Sequence, residues 1–234
     1  MELQTNPKKQ IIVVADDFGL NEKANRNILN LVKLGKIDRV AIMSLGKISE
    51  KEITELLTSH IKLDIHLDIL NEFDENKQKR SGIASRLGEF LLKVFSGKLK
   101  PSLVEKEWER QIETFKKKFG KNPDGINSHE HIHLFPKFFK ITLKLKNKYA
   151  IPYVRFGDSF FAFHNKPVSH ILHILRKINL KDCTMQNCVS SGHLVSLDWI
   201  ENIEEFLKNL PQTSTEIVCH PEIEEDFEKI KKYF

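Results

Sequence analysis

At 234 residues, 40% apolar and 29% charged, the chain has the make-up of a soluble globular protein with a sizeable core, and α/β barrels of this length are commonly single domains. Its net charge of +5, from 37 basic and 32 acidic residues, is mild and its lysines are scattered, which excludes a clustered nucleic-acid footprint. No apolar run reaches transmembrane length, the first ten residues carry no secretory core, and Cys183, Cys188 and Cys219 have no CxxC spacing, so a cytoplasmic protein with reduced thiols is expected.

Ile11 to Ala15 is a continuous apolar, β-branched run, the pattern of a strand buried on both faces. It stops at Asp16-Asp17-Phe18-Gly19. Asn21 then caps a helix with the stripe Ala24, Ile28, Leu31 and Val32, ended by Gly35. Val40 to Leu45 reads as a second strand, and Ser49 to Glu52 as a capping box opening a second helix. Leu63 to Ile69 alternates strictly, with Asp64, His66 and Asp68 on one face of a strand. Asn71 to Arg86 reads as a polar loop. From Ser102, Val104, Trp108, Ile112, Phe115 and Phe119 fall at helical spacing, a stripe that belongs to a core rather than to a ligand.

Gly125 to His133 is predicted as a strand running into a loop with histidines at 129, 131 and 133, and Pro136 opens another helix. Tyr153 to Phe156 is a short strand, Lys166 to Lys177 a helix and Cys183 to Val189 a candidate strand. Asp198 to Glu201 reads as a capping box, and Glu216 to Cys219 as a last strand ending in His220-Pro221. Strands alternating with helices argue for a parallel sheet with helical crossovers. Asp16, Asp17, His66, His129, Arg155 and His220 all fall near predicted carboxyl ends of strands, where barrel active sites are built, although an open doubly wound sheet also gathers residues there.

Each of these residues has an ordinary alternative. Asp before Gly is commonly a turn former, a strand histidine is usually hydrogen-bonded, and an arginine is usually at the surface. Together they carry more. Adjacent carboxylates repel, so keeping both ionised needs a cation nearby. Asp17, His66 and His129 make a two-histidine, one-carboxylate set with open positions, suited to zinc hydrolases and also to iron, manganese or magnesium. In an extended segment the three loop histidines would share a face; in a strand end entering a loop, one or two would reach a metal. Arg155 can hold Asp16 in a bidentate pair, and His220 can act as an acid or base near neutral pH.

The segments VVADDFGLN (Val13 to Asn21), DIHLDI around His66, GINSHEHIHLFP (Gly125 to Pro136), YVRF around Arg155 and VCHP (Val218 to Pro221) resemble, in order and over nearly the whole chain, the YdjC-like carbohydrate deacetylases, which include chitooligosaccharide deacetylases. The resemblance implies a single-domain α/β fold over residues 1–234, a distorted (β/α) TIM-like barrel of the glycoside hydrolase/deacetylase type. It implies Asp17, His66 and His129 as metal ligands, Asp16 as catalytic base, Arg155 as its orienting partner and His220 as proton donor. The implied cofactor is one divalent metal ion, magnesium by resemblance with zinc used in related enzymes. The implied partner is a small N-acetylated sugar, with no nucleic acid and no membrane, and a homodimer is left open. Asn127 stands where the family often has Asp, and the chain ends fourteen residues after His220, where the family often continues. A metal-dependent phosphoesterase on a similar barrel, a non-haem iron oxygenase and a non-catalytic metal-containing binding protein stay as alternatives.

Overall fold

The computed structural model describes residues 11–69, 100–159 and 166–234; the loop expected over Asn71 to Arg86 lies outside them. In chain order the elements are β1 (Ile11–Phe18), α1 (Glu22–Lys33), β2 (Arg39–Ile42), α2 (Glu50–Thr58), β3 (Lys62–Leu67), α3 (Pro101–Phe119), β4 (Gly125–Ser128), a 3-10 turn (His129–Leu134), α4 (Pro136–Lys148), β5 (Tyr153–Val154), α5 (Pro167–Met185), β6 (His193–Ser196), a 3-10 turn (Leu197–Trp199), α6 (Ile203–Lys208), β7 (Thr215–Cys219) and α7 (Glu224–Tyr233). All pairings between strands are parallel, in the order β5-β4-β3-β2-β1-β7-β6. That is chain order around a curl. Its two free edges meet through isolated parallel bridges, Tyr153 to Val189 and Asp158 to His193. The result is a distorted seven-stranded (β/α) barrel, among the described residues, with a thin seam between β5 and β6.

Period-2 alternation gives each strand two distinct faces. One face of the strands (Val13, Ala15, Val40, Ile42, Leu63, Ile65, Ile126, Val154, Ile217) joins the core beneath the helices. There it packs against α3, whose Val104, Trp108, Ile112, Phe115 and Phe119 are buried as the aromatic stripe predicts. The other face lines the barrel, and it is unusually polar. Arg39, Asp64, His66, Asn127, Arg155 and Glu216 are all buried there, each needing a partner in so dry a place. Arg39 forms a bidentate pair with Asp64, Nε to Oδ2 at 2.8 Å and Nη2 to Oδ1 at 2.5 Å. Gly125 makes room for that pair: a Cβ there would lie 2.5 Å from Asp64 Oδ1 and 2.6 Å from Arg39 Nη2.

Asn21 Oδ1 accepts from Ala24 N at 2.9 Å to cap α1, and Ser49 and Glu52 form the reciprocal box at α2. Two expectations need correction, and one strand was not foreseen. The segment from Cys183 is not a strand, because α5 runs on to Met185 and buries Cys183 on its inner side. The strand that does form, β6 at His193–Ser196, begins on a half-exposed histidine and ends on a serine, with only Leu194 and Val195 apolar between them. The capping residue of α6 is Asn202, whose Oδ1 accepts from Glu205 N at 3.1 Å, while Asp198 to Ile200 lies in the 3-10 turn and its exit.

Candidate active site

The barrel gathers its chemistry at the carboxyl ends of β1, β3, β4, β5 and β7. At β1 the ladder with β2 shifts register between Ala15 and Phe18, and Asp17 adopts a left-handed conformation, φ 68°. Asp tolerates that region better than most residues, and strain of this kind is held only where surroundings impose it. The loop that follows is pinned, since Gly19 N donates to the buried Asn25 Oδ1 at 2.6 Å. The shift lets neighbouring carboxylates part company: Asp16 faces into the barrel toward Arg155, and Asp17 turns toward β3 and the histidine loop.

The three histidines of that loop do not share a face. The chain leaves β4 at Ser128 and enters a 3-10 turn in which Glu130 and His131 are both left-handed, φ 52° and 55°. The expected extended run therefore ends at Ser128, before the first histidine. His129 Nδ1 lies 3.0 Å from Asp17 Oδ1. His133 folds back instead. Its Nε2–H donates to Arg155 O at 2.9 Å, its Nδ1 accepts from Ser128 Oγ at 2.9 Å, and Ser128 Oγ accepts from His133 N at 2.8 Å. The carbonyl can only accept, which fixes the neutral tautomer. Burial pushes His133 down to about 3, so it is a structural tie for the loop. His131, half-buried between the two, is also held neutral, by burial first and then by the Arg155 charge.

His66 Nε2 stands 3.2 Å from the same Asp17 Oδ1, and the imidazoles of His66 and His129 meet edge-on at 5.6 Å. Asp17, His66 and His129 present ligand atoms that all lie within 4.8 Å of one another. His66 Nε2 is buried and has no hydrogen-bond partner among the described residues. An unpartnered imidazole nitrogen, a carboxylate oxygen and a second imidazole this close together are a donor set that suits a divalent cation. Burial raises Asp17, but His129 and His66 outweigh it and hold the carboxyl well below its usual range.

Asp16 sits beside this group, its Oδ2 3.8 Å from His66 Nδ1. Arg155 Nη1 and Nη2 each donate to one of its oxygens at 2.7 Å. Burial alone would raise Asp16, but the Arg155 guanidinium and His66 bring it to about 2, so it is a carboxylate at any ordinary pH. His220 follows β7, whose Cys219 is in register with Ala15 of β1, and that places it next to the two aspartates. Its backbone N donates to Asp226 Oδ2 at 2.8 Å, and its Nδ1 lies 4.0 Å from the same oxygen. Burial disfavours its charge, yet Asp17, Asp16, Glu222 and Asp226 together raise its pKa above the usual histidine value.

All six residues singled out in the sequence thus meet at one end of the barrel. The sequence reading missed Glu216, which takes Arg155 Nε at 2.6 Å, and Glu222, close enough to Asp17 and His220 to feel both charges. One signal was available for Glu216: a carboxylate in a strand otherwise apolar, which a dry interior does not accept unpaired.

Comparison with known proteins places the chain in a family. A family model described as YdjC-like protein matches residues 10–232. A carbohydrate deacetylase from Danio rerio is 26% identical over 212 residues, covering 87% of this chain and 62% of that protein. This chain therefore spans less than two thirds of that relative's length. A chitooligosaccharide deacetylase from Yersinia pestis bv. Antiqua (strain Angola) is 25% identical over 227 residues, 92% of this chain and 82% of that one. Among solved structures, a protein from Enterococcus faecalis V583 named for cellobiose-phosphate cleavage superposes with a TM-score of 0.61 at 20% identity, over 91% of this chain and 80% of that one. That likeness concerns the fold.

Proposed function

The chain belongs to the YdjC-like protein family, and on that premise we propose that it is a metal-dependent carbohydrate N-deacetylase, a hydrolase that releases acetate from an N-acetylated sugar. The observation that carries this reading is a second carboxylate outside the ligand group: Asp16, locked to Arg155, lies 3.8 Å from His66. A purely structural metal site closes its coordination and needs no such neighbour. The relatives named for carbohydrate and chitooligosaccharide deacetylation support the substrate class.

In this reading Asp17, His66 and His129 hold one divalent cation, magnesium or zinc. Bound there, the cation supplies Lewis-acid polarisation of the acetyl carbonyl and of the attacking water. Asp16 accepts a proton from that water as its oxygen bonds to the acetyl carbon. Arg155 keeps Asp16 ionised and aimed. His220, whose pKa is raised, donates a proton to the sugar nitrogen as the C–N bond breaks, leaving acetate and a free amine. We also read residues 1–234 as one domain and the protein as cytoplasmic; among the described residues no helix is long and apolar enough to cross a membrane.

The test is acetate release from N-acetylglucosamine oligomers by purified protein, with and without a chelator. Acetate release that the chelator abolishes and added metal restores is the expected result. A metal-loaded protein that releases no acetate from any N-acetylated sugar sinks the reading, and two bound metals per chain would favour phosphoester hydrolysis instead.

A further inference from the structure

Arg155 is fully buried, and its guanidinium is divided between two carboxylates. The terminal nitrogens both go to Asp16, at 2.7 Å each, and Nε goes to Glu216 Oε1 at 2.6 Å. The other oxygen of Glu216 accepts from the Tyr153 hydroxyl, which in turn accepts from Ser191 N at 3.2 Å. The Tyr153 ring lies under the Arg39 guanidinium, 4.2 Å from its centroid, and Arg39 is itself paired with Asp64. A continuous polar column thus rises through the barrel from Asp64 to Asp16.

Stability alone does not call for this column. Buried ion pairs often contribute no more than well-packed apolar groups of the same volume. What a guanidinium gripped on two edges does provide is orientation. A planar fork held only by Asp16 could pivot with its partner; one also held at Nε, by a carboxylate on a different strand, has its plane and position set by the barrel. Both oxygens of Asp16 are then fixed by that plane.

We propose that Glu216 is a positioning residue for the deacetylation: with Tyr153 it holds Arg155 by the Nε edge, so that the opposite edge keeps Asp16 aimed at the reacting water. The inference rests on Asp16 being the base. Small displacements of a base are costly to rate, about 100-fold for 1 Å, with little effect on substrate binding.

The experiment compares wild type with Glu216→Gln, Tyr153→Phe, Asp16→Asn and the Asp16→Asn/Glu216→Gln double variant, measuring kcat, KM and bound metal. For E216Q we expect a fall in kcat of about 10- to 100-fold, typical of lost partners to active-site groups. KM and metal content should stay within about twofold of wild type. Tyr153→Phe, which removes only a hydroxyl, should show a smaller fall of the same kind and serves if Glu216→Gln does not fold. In the Asp16→Asn background the residual rate should not fall further, because there is no base left to aim. A kcat of both single variants within about twofold of wild type overturns the proposal. An equal proportional loss with and without Asp16 does so too, since that is what a merely structural role predicts. Wild-type protein that releases no acetate would instead defeat the functional reading itself.

Discussion

Asn127 Oδ1 lies 2.5 Å from His66 Nδ1, and the contact decides which nitrogen of His66 is free to face a metal. An amide oxygen only accepts, so Nδ1 carries the proton and Nε2 turns its lone pair toward Asp17. Replacing Asn127 with Leu should weaken metal affinity about 10- to 100-fold, the usual cost of losing a ligand's orienting partner. Asn127→Asp keeps the acceptor and adds charge, and should bind at least as tightly as wild type. Titration of the metal-free protein with Mg2+ and with Zn2+ measures both, and undiminished affinity in Asn127→Leu would remove Asn127 from that role.

The two neighbouring aspartates should separate cleanly. Asp17→Asn should lose metal and, with it, activity. Asp16→Asn should keep metal and lose about 100- to 10,000-fold in turnover, the range expected for a general base. Metal content and acetate release measured on the same preparations distinguish them, and the reverse pattern would exchange their roles.

The pH profile of turnover should be limited on its alkaline side by His220. Its raised pKa, lifted against burial by Asp17, Asp16, Glu222 and Asp226, keeps the acid form present above the ordinary histidine range. Asp16, held at about 2, stays a base down to strongly acidic pH. Glu222 is itself pushed up to about 7 by burial and by Asp17, and its Oε2 is buried with no hydrogen-bond partner among the described residues. Glu222→Gln removes one of the charges that favour protonated His220, so the alkaline limb should move to lower pH. An unmoved or raised limb would show that His220 does not govern it.

Much of this site could be read from the chain because its parts interrupt regular patterns. Asp16-Asp17 ends an apolar run, and His66 stands on the alternating polar face of its strand. The histidine loop was half legible: alternate spacing allows either an extended segment or a strand end entering a loop, and Glu130 and His131 decide for the second by taking left-handed backbone, which nothing in their side chains demands. Cys183 to Val189 is apolar enough for a strand, yet its first residues complete the last turn of α5, and only Val189 pairs. For Glu216 the one signal, a lone carboxylate in a mostly apolar strand, reads equally well as a solvent-facing residue until the barrel closes around it. Its partners Arg155 and Tyr153 are more than sixty residues earlier in the chain, and no local period connects them.

Stability should fall on acidification through His133. Its folded pKa of about 3 lies below the ordinary value of 6.5, so between these values the unfolded chain binds the extra proton. Stability therefore drops as pH falls through 6.5 and levels off below 3, by an amount on the order of 3 kcal/mol at pH 4. Urea unfolding of wild type and His133→Gln between pH 7 and pH 4 checks this. The variant should show a shallower dependence, and identical slopes would exclude His133 as the cause.

The seam between β5 and β6 has a consequence for how the molecule breathes. There Val154 N reaches Val189 O at 3.0 Å, Asp158 N reaches Gly192 O at 2.9 Å, and Phe156 N must settle for the side chain of Ser190 at 2.9 Å. Strand pairing so sparse should open before the long ladder of β1 with β7 does. In deuterium exchange the amides of Val154, Phe156 and Asp158 should label ahead of those of Val13 and Ala15. Arg155 sits in the middle of that stretch. Under the proposed function, gentle heating should abolish acetate release while circular dichroism still looks native, and the fragility of that activity would be set by a few hydrogen bonds at one joint rather than by the strength of the whole fold.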